Sequence, residues 1–128
     1  MIVLDTSALL FWTLDPDKLT SQAIWTIDQA DRIVVSSISI WEIALKVKRG
    51  KLIIPLPVSE YVERLQRLGK LEILPVDVQT WLDNLELPWE HRDPADRTIV
   101  ALAVRFNCAL VSSDKTIGEY YPKTIWLS

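Results

Sequence analysis

Short apolar runs alternate along this chain with longer segments that have helical spacing. The runs are apolar at nearly every position and rich in β-branched residues, which is typical of strands buried on both faces. They are "MIVLD", "RIVVSS", "LEILPV", "CALVSSD" and, at the end of the chain, "KTIWLS". Because the segments between them have apolar residues three or four positions apart, they are predicted to be helices. The alternation predicts an α/β fold with a parallel sheet.

Capping and helix-breaking residues delimit the predicted helices. Thr20 or Ser21 is predicted to cap the helix in "LTSQAIWTIDQA", and Gly50 and Gly69 are predicted to end the next two. Those two helices, between Ser39 and Gly69, are expected to form an arm or clip that projects from the sheet. Since no linker or repeat interrupts the pattern, a single domain over residues 1–128 is expected.

Composition restricts the class of protein. Hydrophobic residues make up 49% of the 128 positions and charged residues 24%, which is ordinary globular composition. The apolar runs are too short to span a bilayer, and the segment after Met1 does not resemble a secretory signal. The single Cys108 cannot form an internal disulfide. We expect a cytoplasmic protein without a membrane partner.

Four acidic residues stand where predicted strands give way to helices or where helices begin. They are Asp5, Glu42, Asp96 and Asp114. In an open parallel sheet, the loops at the carboxyl ends of the strands form the ligand crevice, which lies where the strand order reverses direction. The four carboxylates are therefore candidates for one common site.

Each of these acids also has a purely structural interpretation. Asp5 and Asp114 are suitable helix caps, and Glu42 follows Ser39 with the spacing of a capping box. In "HRDPADR", Pro94 suits the first position of a helix, so Asp93 is predicted to be the cap. Asp96 then lies one turn into the helix, on the face that packs on the sheet, where a carboxylate needs a partner.

A divalent cation is the simplest partner for several neighbouring carboxylates. Without it, their mutual repulsion raises the proton affinity of some of them. Because the sequence places no cluster of His or Cys near these acids, a site built from Asp, Glu and water favours Mg²⁺ or Mn²⁺ over Zn²⁺. Such ions bind phosphate oxygens, so hydrolysis or transfer at phosphorus is the predicted chemistry.

The segments that carry these acids resemble, in order, the PIN-domain ribonucleases and specifically the VapC-like toxins of type II toxin-antitoxin systems. The matching segments are "VLDTSALL", "SSISIWEIALKVKRGKL", "HRDPADRTIVALA" and "LVSSD". The resemblance implies a three-layer α/β/α PIN-like fold with a parallel sheet of order 3-2-1-4-5. Ala95 and Ser112 depart from it, since a bulkier apolar residue and Thr are common at these positions.

The resemblance also implies an activity and the residues responsible for it. It implies endonucleolytic cleavage of RNA by a metal-activated water, with a 3′-hydroxyl leaving, and it implies a homodimer restrained by a VapB-like antitoxin. Asp5, Asp96 and Asp114 correspond to direct ligands of Mg²⁺ or Mn²⁺, while Glu42 binds through water or orients the nucleophile. Hydroxyl groups are expected to support the acids; they belong to Thr6 or Ser7 and to Ser112 or Ser113.

Basic and aromatic residues near the acids are candidates for RNA binding. The densest basic group is Lys46, Lys48, Arg49 and Lys51, whose alternative is an ordinary solvated helix face. The net charge of −3 does not exclude RNA, since four acids in a metal site leave 13 of the 17 acidic residues against 14 basic ones. His91 is expected to order its loop or to contact the substrate. Of the six tryptophans, Trp12 and Trp41 lie near two of the acids in sequence.

Three other classes of protein are alternatives to the nuclease. A receiver domain needs paired acids after the first strand and an aspartate after the third, whereas here Thr6 follows Asp5 and the third run ends in "LPV". Haloacid-dehalogenase-like phosphatases need an Asp-x-Asp start, which "DTSAL" lacks. A catalytically silent PIN-like module that acts through protein contacts remains the main alternative, although intact acids oppose it.

Overall fold

A computed structural model describes residues 1–126, and its centre is a five-stranded parallel sheet. The strand order is β3-β2-β1-β4-β5, with every neighbouring pair parallel. This confirms the predicted order. The strands are β1 (Ile2–Leu4), β2 (Ile33–Ser36), β3 (Leu71–Leu74), β4 (Ala109–Val111) and β5 (Thr124–Ile125).

Seven α-helices within residues 1–126 connect and cover these strands. They are α1 (Thr6–Leu14), α2 (Ser21–Gln29), α3 (Ser37–Lys48), α4 (Val58–Gln66), α5 (Val78–Glu86), α6 (Pro94–Phe106) and α7 (Lys115–Tyr120). A 3-10 turn at 16–18 follows α1. The helix starts follow local chemistry, since Thr20 and Asp77 accept hydrogen bonds from the first turns of α2 and α5.

Successive residues of β1, β2 and β4 enter two different apolar cores. On β1, Ile2 and Leu4 pack in the core that contains α1, α2 and α4, whereas Val3 packs in the core that contains α6 and α7. Val34 of β2 and Leu110 of β4 join Val3. Because a strand directs alternate side chains to opposite faces, the uniformly apolar runs correspond to a sheet covered on both sides. The three-layer α/β/α prediction is thus confirmed.

The predicted arm corresponds to α3, the segment 49–57 and α4. Gly50, with φ of +70°, adopts the left-handed conformation just beyond α3, where a residue without Cβ is favoured. Tyr61 and Leu65 of α4 are buried in the same core as α1. The second helix of the arm therefore also covers one face of the sheet.

Two local predictions were wrong by a few residues. Ser36, not Ser39, caps α3, and Ser39 lies within the helix, so the capping box with Glu42 is not formed. β4 ends at Val111, so Asp114 does not end that strand but caps α7. The last two residues of the predicted final strand, Leu127 and Ser128, lie outside the described residues. No helix within residues 1–126 is long and apolar enough to cross a membrane.

Candidate active site

The sheet reverses its order of connection between β1 and β4, which lie side by side at its centre. From β1 the chain proceeds to β2 and β3 on one side, and β4 and β5 lie on the other. Asp5 directly follows β1, and Asp114 lies three residues beyond the end of β4. Both acids are therefore at the carboxyl end of the sheet, at the switch point where parallel sheets bind ligands.

A polar cavity of about 280 Å³ opens at this switch point. The four predicted acids, Asp5, Glu42, Asp96 and Asp114, all line it, together with Asp93. The rest of its wall is formed by Thr6, Ser7, Lys46 and Ser113. Tertiary structure thus brings together four carboxylates that lie on four separate segments of the sequence.

Asp5 is the most deeply buried of these acids. Its side chain caps α1, with Oδ1 accepting a hydrogen bond of 2.8 Å from the Ala8 amide, while Ser112 donates a hydrogen bond to Oδ2. The pKa of Asp5 is raised to about 6, mainly by burial and also by the charges of Asp96 and Asp114, against the opposing effect of the two hydrogen bonds. A buried carboxylate facing two others is electrostatically strained without a cation.

Asp96 lies in the first turn of α6, and Asp93 occupies the capping position. The Asp93 side chain accepts a hydrogen bond of 2.9 Å from the Asp96 amide, as predicted for the cap. The Asp96 carboxylate faces the cavity and contacts His91, whose Nε2 lies 2.8 Å from Oδ2. Burial raises the pKa of Asp96, and the negative charges of Asp93 and Asp114 add to this, while His91 opposes it.

Glu42 reaches the cavity from the second turn of α3. Its closest basic neighbour is Lys46, one turn further along, with a distance of 3.8 Å between Nζ and Oε2. The start of this helix is fixed to α1 by a hydrogen bond of 2.9 Å that Thr6 donates to Ser39. The hydroxyl predicted to support the acids thus acts here by joining two helices that line the cavity.

Ser112 connects the acids that follow β1 and β4. Its Oγ accepts a hydrogen bond of 3.1 Å from the Asp114 amide and donates one to Asp5. Asp114 itself caps α7 through Oδ1, which accepts from Thr116 and Ile117. Oδ2 takes no part in that cap, so Asp114 can serve as a cap and still present an oxygen to the cavity.

The donor set of the cavity suits a hard divalent cation. The acids supply only oxygen, and Asp5 has its pKa raised in part by its neighbours' charges, which a cation would relieve. Within residues 1–126, no three His, Cys, Asp or Glu side chains converge closely enough to form a preassembled metal site. The acids instead border a cavity with room for an ion and its water molecules, as Mg²⁺ retains.

Arg97 organises this region although the sequence suggested no role for it, whereas His91 was expected to order its loop or to contact the substrate. Arg97 of α6 donates hydrogen bonds to the backbone carbonyls of Asn84, Leu87, Trp89 and His91. It thereby fixes the loop that carries His91 against Asp96. The closeness of His91 and Asp96 in "HRDPAD" could have indicated their contact, whereas nothing in the sequence indicated the partners of Arg97.

The basic residues predicted to bind RNA do not all lie together. Lys46 lines the acidic cavity, and Arg49 and Lys51 line an adjoining cavity that also includes Lys46. Lys48 is exposed on α3 but lines neither cavity, since it lies two positions from Lys46 on a helix.

A doubly wound parallel sheet with carboxylates gathered at its switch point defines an α/β protein with an acidic site whose oxygen donors suit a cation. The model of the PIN domain family matches residues 2–121. The chain therefore belongs to the PIN domain family, and the family predicted from its motifs is confirmed.

Individual relatives extend over nearly the whole chain. Ribonuclease VapC22 of Mycobacterium tuberculosis is 28% identical over 130 residues, covering 98% of each chain. A toxin-antitoxin complex from Klebsiella pneumoniae has a chain with a TM-score of 0.66 and 16% identity, covering 98% of this chain and 96% of that one. VapC20 of M. tuberculosis, a toxin that cleaves the sarcin-ricin loop, matches with a TM-score of 0.66 and 13% identity over 93% and 94% of the chains. The two structures support the fold.

Proposed function

We propose that this protein is a metal-dependent endoribonuclease of the VapC-like toxin type, which hydrolyses RNA phosphodiester bonds. One observation carries the proposal: the carboxylates of Asp5, Glu42, Asp96 and Asp114 line one cavity at the switch point of the sheet. The relatives described above, which are named as a ribonuclease and as an RNA-cleaving toxin, support RNA as the substrate class.

Mg²⁺ or Mn²⁺ is the proposed cofactor, held by Asp5, Asp96 and Asp114, with Glu42 binding through water or orienting the attacking water. When bound, such an ion neutralises the carboxylates, polarises a phosphate oxygen and lowers the pKa of water. Oxygen-only donors support these ions over Zn²⁺. Substrate phosphates complete such sites, which explains why a polar cavity remains between the acids.

The chain itself keeps the proposed ligands in position. Ser112 and the Ala8 amide hold both oxygens of Asp5, so that its carboxylate cannot rotate freely. His91 holds one oxygen of Asp96, and the cap formed by Asp93 fixes the first turn of α6. These contacts reduce the reorganisation needed when an ion and an RNA phosphate enter.

Protein partners are proposed from exposed apolar surfaces and from the relatives. The exposed side chains of Val78, Trp81, Leu82 and Leu85 form one apolar stripe along α5, which a second copy of the chain would bury in a homodimer. The similar chain in a toxin-antitoxin complex supports a VapB-like antitoxin as the neutralising partner. The proposed enzyme acts as one domain in the cytoplasm.

Induced expression with mapping of RNA ends tests the proposed function. The wild type should arrest growth and create new RNA ends, whereas Asp96→Asn should do neither while keeping its fold. Asp93→Asn is the matched control, because asparagine caps a helix as well as aspartate does. Arrest by both variants would reject the role of Asp96, and no new RNA ends with the wild type would reject the ribonuclease.

Calorimetric titration separates the enzyme from a catalytically silent module. Purified wild-type protein should bind Mn²⁺ or Mg²⁺, and single Asp→Asn substitutions at Asp5, Asp96 and Asp114 should each weaken binding. If none of the three substitutions changed the heat of metal binding, this result would contradict the proposed metal site and favour the silent module.

A further inference from the structure

An exposed tryptophan lies beside the acidic cavity without a structural reason for its exposure. Trp41 is 59% exposed, although burial is the usual state of so large an apolar side chain. It borders a second cavity of about 290 Å³ between α3 and the start of α6, here called the Trp41 groove. Its apolar wall consists of Trp41, Leu45, Pro94 and Ala95, and its basic rim of Lys46, Arg49 and Lys51.

The Trp41 groove is continuous with the acidic cavity. Glu42, Lys46 and Asp93 line both, so a chain that leaves one cavity enters the other directly. Helical spacing explains this arrangement, because Trp41, Leu45 and Arg49 recur every four residues on one stripe of α3. Glu42 and Lys46 form the neighbouring stripe, which faces the acids. The apolar groove and the acidic cavity thus lie against adjacent stripes of the same helix.

The chemistry of the groove matches one nucleotide of a single-stranded RNA. An indole face exposed to solvent is a stacking surface for any base, since every base has a π-face. The groove has three cationic side chains against the two carboxylates of Glu42 and Asp93, and this excess of cations beside an aromatic ring suits a ligand that carries phosphates on both sides of its base. Among the ion pairs formed by residues 1–126, none includes Arg49 or Lys51, so both are available to phosphates.

Ala95 contributes the space for such a ligand. It is buried at the second position of α6 and forms part of the groove wall, directly before Asp96. A methyl group leaves room above it that a larger side chain would fill. The wall is therefore open at the place where the helix carrying a proposed metal ligand begins.

We infer that the Trp41 groove binds an unpaired base next to the phosphodiester bond that is cleaved, by stacking on the indole of Trp41, with Arg49 and Lys51 binding the adjacent phosphates. This inference rests on the proposed ribonuclease function. The Trp41 groove would then be a substrate subsite separate from the carboxylates, and it would favour a single-stranded segment of RNA.

Binding and cleavage by Trp41→Ala and Trp41→Phe test the subsite. The probe is a short fluorescein-labelled RNA that spans the cleavage site mapped by induced expression. Trp41→Ala should raise KM, and raise Kd in the Asp96→Asn background, by roughly 5- to 100-fold, because each stacked base contributes in this range. kcat should change little, and Trp41→Phe should restore most of the affinity. Trp25→Ala, which removes a 64% exposed tryptophan of α2, is the matched control.

Abasic nucleotides identify the stacked base. An abasic substitution at one position beside the cleaved bond should weaken binding to the Trp41-containing protein and cause no additional loss in Trp41→Ala. Equal losses in both proteins at every position would overturn the subsite. The subsite would also be overturned if Trp41→Ala left KM unchanged and dissociated the dimer, since Trp41 would then belong to a protein interface. Absence of cleavage by the wild type would instead reject the proposed function.

Discussion

The hydroxyl of Ser112 donates a hydrogen bond of 2.5 Å to the carboxylate of Asp5, although the two residues are 107 positions apart. The bond joins the ends of β1 and β4 at the centre of the sheet. The same hydroxyl accepts from the Asp114 amide, so it relates two of the proposed metal ligands. A side chain that only supports packing would not need both contacts.

The metal-free protein should lose stability as pH rises, because of Asp5. Its pKa is about 6 in the folded protein and 3.8 in the reference state, so the folded state binds more protons between these values. Ionisation of Asp5 therefore lowers the free energy of unfolding by up to about 3 kcal/mol at pH 7. This loss is absent well below pH 3.8, where Asp5 is protonated in both states.

Asp5→Asn removes this titration while keeping an oxygen that can accept from the Ala8 amide, and its side-chain nitrogen can donate to the Ser112 hydroxyl. In EDTA, the variant should be more stable than the wild type at pH 7.5, and the difference should disappear as pH falls towards 4. Urea unfolding at several pH values measures it, and pH-dependent contributions of other groups cancel in the difference. A variant that is less stable than the wild type at pH 7.5 would contradict this account.

Arg97 should be a major determinant of stability around the site. Its guanidinium satisfies four backbone carbonyls, of Asn84, Leu87, Trp89 and His91, and the single ammonium of lysine cannot replace that set. Arg97→Lys should lower the unfolding free energy by at least about 2 kcal/mol, as measured by urea denaturation. Arg92→Lys, at an exposed position of the same loop, should change it by less than about 0.5 kcal/mol. Similar losses in both variants would show that the carbonyl contacts of Arg97 are unimportant.

Lys51 and Lys48 should differ in their effect on RNA binding. Lys51 lines the Trp41 groove, whereas Lys48 lines neither cavity, although both are exposed lysines close together in sequence. In the Asp96→Asn background, Lys51→Gln should lower the slope of log affinity against log salt by about 0.7, as expected for one phosphate contact with a single strand. Lys48→Gln should leave the slope unchanged. An equal change in both would indicate a diffuse charge effect.

The apolar stripe of α5 should determine the oligomeric state. The wild type should have twice the 14.7 kDa chain mass in light scattering, and Leu85→Glu should reduce it to the mass of one chain. Introducing a charge into a buried apolar interface is costly, which gives the direction. Ile53→Glu alters an apolar side chain that is 92% exposed in the segment between α3 and α4 and should leave the dimer intact. A Leu85→Glu protein that remains dimeric would assign the interface to another surface.

Local pattern alone was sufficient for most of the fold. Short runs that are apolar at nearly every position predict strands with both faces covered, and helical segments between them predict parallel connections. The sequence also predicted that Asp93 caps α6 while Asp96 lies within the helix, since Pro94 marks the first helical position. Boundaries were less certain, as the shift of the α3 cap from Ser39 to Ser36 illustrates, because several serines there could cap the helix.

Sequence patterns predicted the layers, the family motifs predicted the strand order, and both indicated which acids follow the carboxyl ends of strands. Only the packed structure shows which side chains contact these acids: Ser112 contacts Asp5, His91 contacts Asp96, and Arg97 contacts the loop between them. The difference arises from the separation along the chain over which each interaction acts. Periodicity and capping depend on neighbours within a few residues, whereas burial, repulsion between carboxylates and the open groove beside Trp41 arise only when distant segments pack together.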